Sequence, residues 1–182
     1  MAEVVKTYHD NGQLKEDYFE NDGKKEGEYK RYHGNGQLFK ICNYVNGQIE
    51  GEYKKYYVDG QLCVICNYVD GKTDGEYKLY HNNGQLRVVC NYVNKKIQGE
   101  YKRYHKNGQL YEIYNYVDGK LDGEYKRYYE NGELKSISNY KNGVHQKQTK
   151  QTKQTKQTTT PTKWHSLINF INFINFMKYT KT

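Results

Sequence analysis

The stretch Asn83-Gly84-Gln85-Leu86-Arg87-Val88-Val89-Cys90-Asn91-Tyr92-Val93, followed at Gly99 by Gly-Glu-Tyr-Lys-Arg-Tyr, decides the fold of this chain. Near-copies of both parts recur along the sequence. Gly-Gln-Leu or Gly-Glu-Leu starts at Gly12, Gly36, Gly60, Gly84, Gly108 and Gly132, and Gly-Glu-Tyr-Lys starts at Gly27, Gly51, Gly75, Gly99 and Gly123. Both series advance by 24 residues. One fixed period of this length is typical of a repeat array in which each unit contacts only its neighbours.

Each repeat has the composition of a β-hairpin. The run from Leu62 to Val69 is rich in β-branched and aromatic residues, and Asp70-Gly71 separates it from a second such run that ends before Asn83-Gly84. Asp-Gly and Asn-Gly favour tight hairpin turns, because both central residues of a type I′ turn need positive φ. The sequence therefore predicts an all-β fold, an elongated, twisted, single-layer antiparallel meander of about six hairpins and roughly twelve strands.

The strand register can be predicted if both turns have two-residue loops. Cys66 then lies opposite Gly75, and Tyr92 of the next repeat flanks the same glycine. An aromatic ring on a neighbouring strand can cover the gap that a glycine leaves, which gives a structural role to Gly51, Gly75, Gly99 and Gly123. This register places Leu62, Val64, Cys66, Tyr68, Tyr77 and Leu79 on one face, and Ile65, Asn67, Val69, Glu76 and Tyr80 on the other. A three-residue loop would shift the register and exchange the faces.

The same residues resemble the short variant of the MORN-repeat family. Its pattern runs roughly Tyr-x-x-Asn-Gly-x-Leu, then Tyr-x-x-Gly, then Gly-x-Tyr or Gly-x-Trp, and one repeat of this chain matches it at Tyr80, Asn83, Gly84, Leu86, Tyr92, Gly99 and Tyr101. The resemblance covers residues 3–144. It implies a binding module or scaffold without catalytic activity of its own. Some MORN-type repeats are connected with phospholipid membranes, and variant repeats occur in bacterial antitoxin-like proteins and giant DNA viruses.

The positive charge is concentrated after the repeats. The whole chain has 29 Lys and Arg against 21 Asp and Glu, a formal charge of +8. Residues 145–182 contain 7 of those lysines and no acid, which leaves 22 against 21 in residues 1–144. The array is thus nearly neutral, as expected of an ordinary solvated surface, and we do not expect it to bind nucleic acid.

The composition after residue 144 predicts two further segments. Residues 145–163 form a Gln/Thr/Lys-rich linker that lacks the apolar surface needed for folding, so we expect disorder. Residues 164–182 contain Trp164 and three copies of Ile-Asn-Phe, and a short helix there would have an apolar face. Lysines followed by such a helix suggest attachment to an anionic membrane, for which the candidate residues are Lys153, Lys156, Lys163, Trp164, Ile171 and Ile174.

No residue cluster in the sequence indicates catalysis, a metal ion or another cofactor. Cys63-x-x-Cys66 has no partner pair, and Cys42, Cys66 and Cys90 occupy one position of the repeat. His33, His81 and His105 share a position beside the turn, where we expect solvated side chains. Equivalent atoms two strands apart are roughly 10 Å from each other, too far to share one metal ion. The Glu-Tyr-Lys motifs predict Glu–Lys pairs on one face.

These patterns favour a non-catalytic scaffold for protein–protein interaction. Tyrosine gives large contact area at low entropic cost, and the candidate contact residues are Tyr56, Tyr80, Tyr104 and Tyr128. Membrane attachment and an antitoxin-like binding role are the alternatives. Without a secretory signal or an apolar run long enough to span a bilayer, we expect an intracellular, cytoplasmic protein, with peripheral membrane association as the variant.

Overall fold

A computed structural model describes residues 3–147 of the chain, and these residues form one antiparallel sheet of 15 strands. The strands are β1 (Glu3–Tyr8), β2 (Leu14–Asn21), β3 (Lys24–Tyr32), β4 (Leu38–Val45), β5 (Gln48–Tyr56), β6 (Leu62–Val69), β7 (Lys72–Tyr80), β8 (Leu86–Val93), β9 (Lys96–Ile97), β10 (Gly99–Tyr104), β11 (Leu110–Val117), β12 (Lys120–Leu121), β13 (Gly123–Tyr128), β14 (Leu134–Lys141) and β15 (Val144–Gln146). No helix occurs among these residues.

The strands follow one another across the sheet in the order of the sequence. The chain of pairings runs from β1 to β15, with the two-residue strands β9 and β12 paired to β8 and β11 alone. The sheet is not closed, because β1 does not pair with β14 or β15. The predicted all-β meander is confirmed. The strand number exceeds twelve because β1 precedes the six hairpins and because Gln98 and Asp122 interrupt two strands.

The Asp-Gly and Asn-Gly turns differ from each other. Asp70 and Gly71 have φ of 50° and 68° and join Val69 to Lys72 in the expected two-residue loop. At the other end, the His81 amide donates to the Gln85 carbonyl at 2.8 Å, and the Gly84 amide donates to His81 at 3.0 Å. Only Gly84 has positive φ in this loop. It is therefore a three-residue loop with a glycine bulge, and the prediction of two-residue loops at both turns was wrong.

The predicted faces survive this change because further bulges compensate for it. Leu79 pairs with Val88 but Tyr80 pairs with Leu86, so Arg87 is an extra residue that restores the register. On the other side of β7, Asn67 pairs with Asp74 and Cys66 with Tyr77, which leaves two extra residues. A shift of two keeps every side chain on its face. The pairing of Cys66 with Gly75 was thus wrong, whereas Gly75 does pair with Tyr92.

One residue lies on the opposite face from the predicted one. Leu62 pairs with Tyr56 across the loop bulge. At the equivalent position of the preceding repeat, Leu38 lines a depression together with Ile41, Lys54 and Tyr56. The bulge at Cys63 turns the end of β6 over, so that Leu62 faces away from Val64 and Cys66.

Nearest-neighbour stacking predicts that the array tolerates the loss of one full period. Deletion of residues 60–83 joins Asp59 to Gly84 and restores the loop sequence. We expect retained β-sheet circular dichroism and cooperative unfolding at a lower urea midpoint, because one repeat interface is lost. Deletion of residues 60–71, half a period, is the control and should prevent correct pairing. A disordered spectrum for the full-period deletion would contradict the nearest-neighbour architecture.

Candidate interaction surface

The register divides the sheet into two chemically different faces. The tyrosine face carries a row in which Tyr53, Cys66, Tyr77 and Cys90 pair in succession. The Glu–Lys face carries the row Lys54, Ile65, Lys78 and Val89, with the glutamates two residues before each lysine. The sheet is a single layer, so only its backbone separates the two faces.

A glycine bulge organises the tyrosine face in each repeat. Gly75 has φ of +80°, a conformation that L-residues with a side chain rarely adopt. It lies opposite Tyr92, whose ring packs against Tyr77 with centroids 5.8 Å apart and an interplanar angle of 67°. The same tilted or edge-to-face pair recurs in the other repeats, at centroid distances of 5.5–6.3 Å, as Tyr29–Tyr44, Tyr53–Tyr68, Tyr101–Tyr116 and Tyr125–Tyr140.

Burial on the tyrosine face makes its phenols and thiols chemically inert at neutral pH. It raises the pKa of Tyr53 and Tyr77 to about 12. It raises the pKa of the Cys66 and Cys90 thiols to about 11. Thiolate is the reactive form of cysteine, so these buried thiols are structural. This row holds the repeats together.

A buried carboxylate on the tyrosine face was missed at the level of sequence. Glu112 is 6% exposed, at the position that Val64 and Val88 fill in other repeats. Its Oε2 accepts a hydrogen bond from the Tyr125 hydroxyl at 2.6 Å, and guanidinium nitrogens of Arg103 and Arg127 lie 3.5 Å from its oxygens. This hydroxyl donor and these two guanidinium groups are the partners that a buried carboxylate needs. The sequence did contain a signal for it, because an acid at a position that is apolar in other repeats indicates a local network of polar partners.

Glu16 occupies the equivalent position near the other end of the array and has a similar partner. Its Oε1 accepts a hydrogen bond from the Tyr29 hydroxyl at 2.5 Å, and that bond is the main reason why the pKa of Glu16 is lowered. Burial, with the Glu16 bond as the second cause, raises the pKa of Tyr29. The acids at this position therefore hold a neighbouring tyrosine of the row in place.

The histidines beside the turns connect adjacent repeats, which corrects the expectation of solvated side chains. The Nε2 atom of His81 lies 3.0 Å from the Tyr104 carbonyl, and Tyr57 at the same position donates to the Tyr80 carbonyl at 2.6 Å. Asn83 adds a second connection, from its Nδ2 to the Lys106 carbonyl at 2.8 Å. Each three-residue loop is thus hydrogen-bonded to the next one, and the His and Asn positions are structural.

The four candidate contact tyrosines lie on the Glu–Lys face. Glu52, Lys54 and Tyr56 alternate along β5 and so share that face. The predicted charge pairs are present, with Nζ–carboxylate distances of 2.5 Å for Lys54–Glu52, 2.6 Å for Lys78–Glu76 and 2.7 Å for Lys126–Glu124. The contact candidates Tyr56, Tyr80, Tyr104 and Tyr128 are all half-buried at the end of this face next to the three-residue loops.

Shallow depressions recur between the repeats on the Glu–Lys face. One of about 580 Å³ is lined by Leu38, Ile41, Lys54 and Tyr56, and one of about 300 Å³ by Ile65, Lys78 and Tyr80. A third, of about 520 Å³, is lined by Ile113 and Lys126. Each is lined by an isoleucine and by a lysine with its paired glutamate. Since a repeat spans two strands, equivalent features recur roughly every 9.6 Å.

Other candidate sites are absent from the part of the chain that the structure describes. No group of three or more His, Cys, Asp or Glu side chains among residues 3–147 is placed to hold a metal ion. Those residues also contain no helix long and apolar enough to cross a membrane. The membrane-tail candidates from Lys153 to Ile174 lie outside the described residues, as do the predicted linker and tail beyond residue 147.

The MORN repeat variant pattern matches this chain at residues 4–21, 25–46, 49–70, 73–94, 97–118 and 121–142. These segments follow the hairpins of the structure and cover well over half of the sequence. The chain belongs to the MORN repeat variant family. Comparison with curated protein sequences gives no match. MORN repeats are known in protein- and membrane-binding roles and are typically non-catalytic.

The glycine bulge of the MORN array can be tested by a matched pair of substitutions. A Cβ at Gly75 or at Gly34 would meet no atom within 4 Å, but only Gly75 has positive φ. We expect Gly75→Ala to lower the free energy of unfolding by about 1–2 kcal/mol through backbone strain alone. Gly34→Ala should be neutral or slightly stabilising. Urea unfolding measures the free energy of unfolding of both variants. Equal values would show that a side chain at position 75 does not strain the bulge.

Proposed function

We propose that this MORN-repeat protein is a non-catalytic scaffold whose Glu–Lys face binds a partner protein. The observation that carries the proposal is the periodic row of half-buried tyrosines and apolar depressions on that face. Tyr56 and Tyr80 each line a depression together with an isoleucine. Aromatic side chains next to apolar hollows are the features that dominate binding energy in protein interfaces.

The charges on the Glu–Lys face favour a protein over a nucleic acid as partner. Each lysine of the row is paired with a glutamate of its own strand, as in Lys54–Glu52 and Lys78–Glu76. A phosphate backbone approaching this face would meet one carboxylate for every ammonium group. Binding to nucleic acid depends on a surplus of positive charge, which this face does not have. Pairs of opposite charge around an apolar centre resemble the polar rim of a protein interface.

The size of the face also fits a protein partner. The five residues from Glu52 to Tyr56 occupy roughly 17 Å of strand, counted as five rises of about 3.4 Å, and four repeats extend over roughly 38 Å. The product is roughly 650 Å², close to the ~800 Å² that each partner contributes to an interface of standard size. One tyrosine per repeat then gives several equivalent anchors along one partner.

The proposal predicts that removing two tyrosines from this face weakens binding without unfolding the sheet. We expect Tyr80→Ala combined with Tyr104→Ala to reduce retention of the partner at least tenfold, the effect of losing about 1.4 kcal/mol or more at an anchor. The measurement is affinity capture with the full chain as bait in extracts of its own cell. Circular dichroism of the variant checks that the fold is retained.

The control variant removes two half-buried aromatic residues from the opposite face. Phe39 stacks under Arg31 and Lys55, and Tyr111 lies under Arg103. Phe39→Ala combined with Tyr111→Ala should retain the partner. Equal loss of binding in both double variants would contradict a specific role of the Glu–Lys face. A captured toxin would make the protein antitoxin-like, a narrower form of the same function.

A second candidate function rests on the uneven charge of the sequence. Residues 145–182 hold 7 lysines and no acid, and basic residues near an anionic leaflet contribute about 1 kcal/mol each. If this segment anchors the protein, Lys153→Gln, Lys156→Gln and Lys163→Gln together should weaken co-sedimentation with vesicles containing phosphatidylserine by tenfold or more. Binding of the wild type should also fall as salt rises. Equal sedimentation of the two proteins would exclude the lysines as the anchor.

A further inference from the structure

We propose that a second copy of this chain adds to the part of the β14 edge that no strand of residues 3–147 covers, so that the proteins join head to tail through β1 and continue one sheet. The two outer edges of the array are different and complementary. Beyond β15, the next segment due in the repeat is a Gly-Glu-Tyr-Lys-Arg-Tyr strand, and within residues 3–147 none follows. At the other end, β1 is itself a strand of that kind.

The two edges lie at matching positions of the 24-residue repeat. Six repeats of 24 residues span 144 residues, so residue n of one copy falls on position n + 144 of its neighbour. Within the array, β11 pairs with β13 through Glu112–Arg127 and Ile113–Lys126. One period later, the same register pairs Ser136 with Thr7 and Ile137 with Lys6 of the second copy. The strand that does not follow β15 within residues 3–147 is therefore present as β1 of the second copy, in the right register.

The side chains at the two edges also fit each other. Inside the array, Arg127 lies 3.5 Å from the buried Glu112. At the junction, the equivalent residues are Thr7 and Ser136, and both are small and uncharged. The junction therefore brings no unpaired charge into this half-buried row.

The outer edges expose apolar side chains that the interior repeats partly cover. Tyr8 is 59% exposed at the β1 edge, while Leu134 is 49% and Ile137 40% exposed at the β14 edge. Leu110, Ile113 and Tyr104, at the corresponding interior positions, are half-buried. A second copy would give the edge residues the environment of the interior repeats.

The connections between loops point to the same partner. Tyr57 and Tyr129 share a repeat position, and the Tyr57 hydroxyl donates to the carbonyl of Tyr80 in the next repeat. In the continued sheet, Tyr129 would donate in the same way to Tyr8 of the second copy. Asn107 donates to the Glu130 carbonyl at 2.9 Å, whereas Asn131 donates to the side chain of Glu133. For Asn131 the equivalent acceptor is the Asp10 carbonyl of the second copy.

Within residues 3–147, the backbone identifies amides that point away from the sheet at its two outer edges. The Tyr32 carbonyl faces the preceding repeat, because it lies 3.1 Å from Nε2 of His9. Backbone groups of successive residues alternate between the two neighbouring strands, so Tyr8 and Lys6 of β1 have theirs directed outwards. The backbone amide of Ile137, which would pair with Lys6, also points outwards, from β14. Proline at either position removes the outward N–H but no hydrogen bond within the chain's own sheet.

The experiment uses the full-length chain and the variants Lys6→Pro and Ile137→Pro in sedimentation velocity. An edge contact of this size is weak, so the series should reach about 1 mM. We expect the mass of the wild type to rise with concentration beyond that of a dimer. Each proline variant alone should remain monomeric. An equimolar mixture should form dimers and nothing larger, because Lys6→Pro keeps a working β14 edge and Ile137→Pro a working β1 edge.

Two controls distinguish this assembly from unfolding and from other modes of association. Lys6→Val retains the amide and should associate like the wild type, and circular dichroism establishes that all variants are folded. A wild type that stays monomeric throughout the series would overturn the proposal and would indicate that the chain's own remaining residues cover the β14 edge. A dimer formed by one proline variant alone would overturn it in favour of pairing between like edges. So would a mixture that remains monomeric.

Discussion

The structure depends on the glycine bulge that stands opposite a tyrosine in every repeat. A sheet with only one layer has no second layer of side chains against which to pack its faces. The bulge at Gly75 shifts the register by two residues, so that Tyr77 pairs with Cys66 while Tyr92 comes to lie opposite the glycine. Two large rings then meet edge to face over a residue without a side chain. This contact recurs from repeat to repeat, and the row of rings takes the place of a core.

A core of this kind explains the composition. Aliphatic residues would need cover from above, whereas a tyrosine buries the body of its ring and leaves its hydroxyl near water or near a hydrogen-bond acceptor. The described residues that are buried and apolar are few: Tyr29, Cys42, Val64, Cys66, Val88 and Cys90. Small cysteines fit between the rings, and their raised pKa follows from this packing. The hydrogen bonds between loops add stability at the edge of the sheet, where the rings do not reach.

Much of this fold could be predicted from the sequence, because a fixed period, turn dipeptides and alternation carry the information. The two faces were predicted correctly apart from Leu62, and so was the position of Tyr92 opposite Gly75. The loop at Asn83-Gly84 was not, because Asn-Gly suits both a two-residue turn and a three-residue loop with a bulge. The same three-residue loop forms at Asn131-Gly132, where Asn131 donates to the Glu133 side chain, so a bond from this position to the next repeat does not set the loop type. The histidines were misjudged because their hydrogen bonds run between repeats, which a local pattern does not show.

The candidate interaction surface was harder to predict than the fold, and the cause is the repetition itself. A position that recurs in every unit, such as Tyr80, serves the contacts between units and can also serve a partner, and the pattern alone does not separate these roles. The register separates them. It puts the rings that pack on one another on the tyrosine face, and it leaves Tyr80 beside a depression on the other. A surface whose features recur every two strands can make many weak contacts at once, so under the proposed function the affinity would rise with the number of repeats. For such a protein, the edges where the period stops are the places at which the surface can be lengthened without any change to the repeat.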